Sequence, residues 1–349
     1  MKTSRLGHFA ICMSLLMLGS LALASRPAGS YHLLKKIPLS AAPGGKEYFD
    51  YITVDGPARR VYLTHGTEVK VVDADSGAVV GTISGLKRCH GVALVEDLGK
   101  GFITDGDADK VVTFDIATLK VTGEIKTEPD PDSITYDPAS KRIFAFNSDG
   151  HAVTVIDPAN GKVVKAIPLG DGAEFPVADG KGLVYDNNDT NEVVVIDSKA
   201  LTIKARWPVS PAGHPTSMAM DQRHRRLFSS GRGPQLLVVM DADNGKVIQS
   251  FPISAGVDAN VYEPETGLIF VSTREGKIHI YHEDSPDKFS VVDTLQTEVG
   301  AKTMALDPKT HNLYLTTSDF GPTPAPTAEE PHPNPVGTPG TFRLLIYGR

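Results

Sequence analysis

The sequence predicts an all-β fold: a seven-bladed β-propeller whose last blade is completed by a strand from the N-terminus. Three observations predict it. A unit of four short strands recurs about every 42 residues, and such a period marks a repeat architecture. Gly and Pro number 33 and 25 among 349 residues, more than an average soluble domain carries. The final unit lacks one strand, which the opening of the chain can supply.

Composition removes several alternatives. With 40% hydrophobic residues the chain can build a core and need not be disordered. So much Gly and Pro argues against a coiled coil or long helical bundle. The 35 Lys and Arg stand against 42 Asp and Glu, whereas phosphate backbones require excess cations. A nucleic-acid partner is therefore not expected.

The chain opens with Lys2 and Arg5, an apolar run from Phe9 to Leu23, and Ala22-Leu23-Ala24. Charged, apolar and small-residue regions in that order form a secretory signal peptide, expected over residues 1–24. The run is short for a membrane span, no second one follows, and no Cys succeeds it to anchor a lipid. Residues 25–349 are expected as one domain, exported to the periplasm or secreted by a bacterium, and monomeric. Cleavage takes the formal charge from −7 to −9 and removes Cys12, leaving Cys89 alone. No internal disulfide is then available. Leu86 stands where C-x-x-C-H would need a Cys before Cys89-His90, so no covalent c-type haem is expected.

One unit reads Asp132-Ser-Ile-Thr-Tyr-Asp137, Arg142-Ile-Phe-Ala-Phe146, Val153-Thr-Val-Ile-Asp157 and Lys162-Val-Val-Lys-Ala-Ile-Pro168. Short β-branched or aromatic runs between turn residues are antiparallel strands. The second strand carries Tyr62, Phe102, Phe144, Phe228, Phe270 and Tyr314 at matching places, with Val184 in the fourth copy. The third ends in Asp73, Asp115, Asp157, Asp197 or Asp241, and turns such as Asp75-Ser-Gly77 and Asp243-Asn-Gly245 follow. Gly there takes positive φ without steric cost. Seven units begin near Asp50, His90, Asp132, Glu174, Thr216, Asp258 and Lys302.

The seventh unit ends with Phe342-Arg-Leu-Leu-Ile-Tyr347, its third strand. Tyr31-His-Leu-Leu-Lys-Lys-Ile-Pro38 can add the fourth, closing the ring and hiding its edges. Residues 318–341 depart from the repeat. Their many prolines cannot join a ladder, so a long surface loop with polyproline character is expected. It is either a tolerated insertion or a flap over the neighbouring face.

Val69-Lys-Val-Val-Asp73, Val153-Thr-Val-Ile-Asp157-Pro-Ala-Asn-Gly161-Lys-Val-Val and Val193-Val-Val-Ile-Asp197 resemble the YVTN-type repeats of bacterial YncE-like proteins. The resemblance covers nearly all of the chain after residue 24. It implies an exported seven-bladed propeller, often of unknown role. The wider superfamily includes the haem d1 domain of nitrite reductase, quinoprotein dehydrogenases and propeller lactonases, so architecture does not settle function.

Propeller ligands usually bind where the innermost strands begin, a placement the fold implies. Ungapped alignment of the first strands puts Asp50, His90, Asp132, Glu174, Thr216, Asp258 and Lys302 at one equivalent position. Four carboxylates, a His and a Lys exceed a chain average of 22% charged residues. Loops between second and third strands add His65, Asp105, Asp107, Asn147, Asp149, Asp186, Asn187, Asn188, Arg232 and Arg274. The expected mouth is acidic on blades one to four and basic at Arg232, Arg274 and Lys302. Such a rim suits a small zwitterion, a metal or a charged peptide.

The expectation is a binding module that recognises a small ligand or protein partner at this mouth. Its rival is a lactonase- or isomerase-type enzyme. His90 or His214 would act as acid or base with Glu174, and Arg232 or Arg274 would stabilise an oxyanion. A divalent cation, if bound, would draw on His90, Asp132 and Glu174. Asp105-Gly-Asp107-Ala-Asp109 resembles a calcium loop but lacks the required Gly and Glu, having Lys110 and Ile116 in their places. No nucleophile elbow, zinc-binding His pair, P-loop or dinucleotide fingerprint occurs.

Overall fold

In the computed structural model, residues 30–44, 47–327 and 335–349 are described. The expected signal peptide lies outside them, as does the middle of the Pro-rich loop. Among the described residues no helix is long and apolar enough to cross a membrane.

Seven four-stranded antiparallel sheets account for the fold. Their innermost strands are Phe49–Asp55, Cys89–Val95, Pro131–Asp137, Ala173–Ala178, Pro215–Asp221, Val257–Glu263 and Met304–Leu306. Each lies against the innermost strands of the two neighbouring blades, and the seventh returns to the first. These sheets are numbered blades 1 to 7 in that order. The ring closes as the sequence predicts. Strand His32–Pro38 is the outermost strand of blade 7 and pairs antiparallel with Arg343–Gly348, from His32 opposite Gly348 to Pro38 opposite Arg343.

Packing explains why each unit needs its neighbours. Among the described residues, seven apolar clusters occupy the seven gaps between adjacent blades. A single blade buries neither face, so the core exists only in the ring. The second-strand aromatics form a buried row through these gaps. Truncating one, Phe144→Ala for instance, removes a fully buried ring and costs about 3–5 kcal/mol.

One position in that row differs from the sequence expectation. Tyr185, not Val184, is the blade 4 equivalent: Tyr185 pairs with Val195 as Phe144 pairs with Val155 and Tyr62 with Val71. The turn from Asp179 to Leu183 is one residue shorter than the turn from Asp137 to Arg142. Counting without that deletion slides the alignment by one. The row is aromatic in all seven blades, and the polar tips of Tyr185 and Tyr314 donate to the Ala242 and Ala74 carbonyls.

The recurrent Asp residues act as turn caps. Asp73, Asp115 and Asp241 end third strands and accept from the backbone amides of Ser76, Thr118 and Asp243 at 2.7–2.8 Å. Such short side-chain bonds replace the ladder where the strand stops. Gly77 and Gly245 take φ of 75° and 76° in the hairpins that follow.

The Pro-rich loop is anchored at both described ends. Gly337 bridges to Phe320 and to Glu47. Phe320 packs over Gly300, where a Cβ would meet its ring at 2.1 Å, and lies 6.4 Å from the Phe49 ring. These contacts hold the loop ends over the blade 7 and blade 1 side of the mouth.

Candidate functional site

Six of the seven aligned residues are the second residue of an innermost strand, and Lys302 lies just before Met304–Leu306. The repeat therefore brings them to one end of the channel. Their side chains do not form a uniform ring.

On one side the charges are matched. Lys302 bridges blades, with its Nζ 3.3 Å from Asp50 Oδ1 and bonded to Asp258. Asp258 also accepts from Arg232, whose Nε donates to the Val257 carbonyl at 3.0 Å. His90 Nδ1 lies 2.8 Å from Asp50 Oδ2 and 2.7 Å from Asp132 Oδ1. Burial works against its charged form, yet the Asp132 and Asp50 carboxylates raise its pKa to about 10. Its Nδ1 lies between two carboxylates, an arrangement that favours the imidazolium. Burial also opposes ionisation of Asp50, but Lys302, His90 and Tyr48 outweigh it and hold its pKa well down. Tyr48 donates to Asp50 Oδ2 at 2.8 Å.

On blade 4 the carboxyls lack such partners. Glu174 is half-buried and makes no side-chain hydrogen bond or ion pair among the described residues. Burial, then the nearby Asp132 carboxylate, pushes its pKa up to about 8, against a weaker pull from Arg232. Asp186 is fully buried, and neither carboxyl oxygen has a hydrogen-bond partner of normal geometry. Burial and the charge of Glu174 raise its pKa well above the carboxylate range; the Glu174 backbone amide offsets only part. The other blades place Leu63, Ile103, Ala145, Ser229, Val271 and Leu315 at this level of the second strand. Asp186 is thus an acid in an otherwise apolar or small layer.

Below the ring, Tyr51 and Phe175 reach toward each other across the channel from blades 1 and 4. Their rings meet edge to face, 5.3 Å between centroids, and Tyr51 donates to Asp132 Oδ2 at 3.1 Å. The mouth therefore has an aromatic floor, below which a cavity of about 100 Å³ runs along the inner strands. A second cavity, about 300 Å³, opens beside Lys302 between Tyr48, Arg274 and Phe320.

Several expected rim residues serve the fold instead. Asp105 is buried and accepts from the Lys87 and Arg88 amides at 2.8 and 2.9 Å. His65 is buried, stacks on Phe342 at 3.8 Å and bonds Glu47 at 2.5 Å. Asn147, Asn187 and Asn188 donate to backbone carbonyls. His214 is exposed and lies outside the cluster, just before the innermost strand of blade 5. Cys89 is buried, and burial raises its thiol pKa to about 12, which suits an inert core residue.

Of the cation-ligand candidates, the structure joins His90 and Asp132 to Asp50: their ligand atoms lie within 4.8 Å of one another. Glu174 is not in that group. The proton shared by His90 would have to leave before a metal could use Nδ1.

Sequence reasoning missed Tyr48, Tyr51 and Phe175. The signal for two of them was present. One residue beyond the ring position, the seven copies read Tyr51, Gly91, Ser133, Phe175, Ser217, Ala259 and Thr303. Two large aromatics stand out in a row of small residues.

The architecture is that of a β-propeller. Hydrazine synthase from Kuenenia stuttgartiensis is similar in structure, with a TM-score of 0.66 over 79% of this chain and 94% of that chain. Sequence identity is 16%, so the likeness concerns the fold alone. No protein-family model matches the chain, and no curated protein matches it in sequence.

Proposed function

We propose that this protein is an exported propeller that binds a small ligand through a cationic group at the acidic wall of its channel mouth. One observation carries the reading. Glu174 and Asp186 sit together on blade 4 and neither is in an ion pair among the described residues, while the charges from blade 5 round to blade 2 are paired. A buried acid without a partner is costly, and such costs concentrate where a ligand relieves them. Export is supported by the charged, apolar and small-residue order of residues 1–24 and by the YVTN-type resemblance.

The enzyme reading has less behind it. His90, the acid or base it would use, has its Nδ1 taken up between Asp50 and Asp132 at 2.8 and 2.7 Å. His214 is exposed, and it is its backbone carbonyl, not its ring, that meets the Arg232 amide at 3.0 Å.

Thermal-shift and calorimetric titration at pH 7 test the proposal with matched cationic, neutral and anionic probes. Cationic probes alone should raise the melting temperature, since binding to the native state stabilises it. Glu174, protonated below about pH 8 in the free protein, should release a proton on binding. Calorimetry in buffers of different ionisation enthalpy reads that release. A response to anionic probes alone, or to none of the panel, overturns the proposal.

A further inference from the structure

We propose that the cationic group accepted at the mouth is an organic ammonium, seated over the Tyr51 and Phe175 rings between Asp132 and Glu174, and not a divalent metal. The inference rests on the reading of the acidic wall above and narrows it to one ligand chemistry.

The first support is the donor set. A divalent cation needs several oxygen or nitrogen ligands converging within a few ångströms. Among the described residues two groups meet that condition: Asp50 with His90 and Asp132, and Asp221 with His224 and Glu283. Neither contains Glu174 or Asp186. Asp132 Oδ1 already faces the His90 imidazolium at 2.7 Å, and Asp132 Oδ2 accepts from Tyr51 at 3.1 Å. Glu174 therefore joins no converging set of ligand atoms among the described residues. An ammonium asks for less: one or two acceptors and a surface that tolerates its attached carbon atoms.

The second support is the floor. An ammonium is drawn to the negative face of an aromatic ring as well as to a carboxylate. Tyr51 and Phe175 are both half-buried and both line the small cavity along the inner strands. Tyr51 donates to Asp132 Oδ2 at 3.1 Å and its ring meets that of Phe175 at 5.3 Å, which places the aromatic pair beside a mouth carboxyl. A hydrated divalent ion gains little from such a surface, whereas the methylenes of an alkylammonium are covered by it.

Asp186 supplies the third. Its carboxyl is buried with no hydrogen-bond partner of normal geometry, and burial first, then the charge of nearby Glu174, raises its pKa. A cation at Glu174 would relieve both groups at once.

The test uses the full exported chain and three probes: n-butylammonium, n-butanol and calcium or manganese ions. Direct calorimetric titration is run on the parent protein and on Glu174→Gln and Phe175→Leu. Butylammonium should bind the parent and butanol should not. Glu174→Gln should abolish that binding. Phe175→Leu, which keeps apolar bulk and removes the ring, should weaken it roughly 3- to 30-fold. Binding of the metal ions but not of butylammonium would overturn the inference and leave the acidic-mouth reading standing. Failure of every cation would overturn both. Butylammonium affinity unchanged in Phe175→Leu would also overturn it. Comparison of the three probes on the parent protein decides the matter even if a variant does not fold.

Discussion

The two sides of the channel mouth use the same kinds of side chain in opposite ways. From blade 5 round to blade 2, Arg232, Asp258, Lys302, Asp50 and His90 form a chain in which each charge meets its opposite. On blade 4, Glu174 and Asp186 meet none. Both sides come from one register position and its neighbour in a repeat, so the fold did not impose the difference. The matched side joins strands far apart in the chain and supports closure. The unmatched side costs stability and is kept, as expected where a protein departs from local consistency for function.

The comparison predicts opposite signs for substitutions on the two sides. The largest effect belongs to Lys302→Met. It leaves Asp50 and Asp258 buried beside each other's blades with one cation fewer, and breaking buried pairs costs about 3–5 kcal/mol. Urea unfolding should show that loss. A change under about 1 kcal/mol would mean the bridge is as weak as a surface pair and would erase the contrast. Next comes Asp186→Val, which restores the apolar character of the layer. Removing an unsatisfied buried acid should stabilise by about 1–3 kcal/mol, read as a higher melting temperature, with loss of cation binding. A destabilised Asp186→Val would show that the carboxyl has a structural partner.

Much of this was legible in the residues. The blades, their closure and the ring position follow from a repeat whose spacing survives without gaps on the innermost strands. A first-strand residue such as Asp132 must face the mouth if the strand starts there. What was not legible is which acid is paired. Asp105 and Asp186 are both second-strand acids. The first turns to the amides of Lys87 and Arg88, whereas the second meets no donor with normal hydrogen-bond geometry. That depends on the path of the preceding loop, which the repeat does not encode. Tyr48 lies before the first strand, outside any aligned column. Tyr185 rather than Val184 completes the aromatic row because one deleted turn residue leaves no trace in strand composition.

The smallest and most diagnostic prediction concerns Glu174→Gln and pH. The Glu174 carboxyl has its pKa raised in the folded protein, from an ordinary value of 4.5 to about 8. A raised acid pKa means the folded state disfavours the charged form. Below pH 4.5 the group is neutral in both states and costs nothing through ionisation. Between 4.5 and 8 the unfolded chain ionises and the folded one does not, so stability falls as pH rises. Gln cannot ionise, and the variant should escape that fall. At pH 5 the two proteins should melt nearly together. At pH 8 to 9 Glu174→Gln should be more stable by about 1 kcal/mol, kept small because the carboxyl is half-buried and solvent screens it. His90 runs the other way: its charged form stabilises below its ordinary pKa of 6.5, and that contribution is lost as pH rises through about 10. Differences between parent and Glu174→Gln at each pH cancel the His90 contribution and isolate the unmatched side. Parallel melting curves from pH 5 to 9 would show that Glu174 already has its cation, and the two sides of the mouth would then be alike.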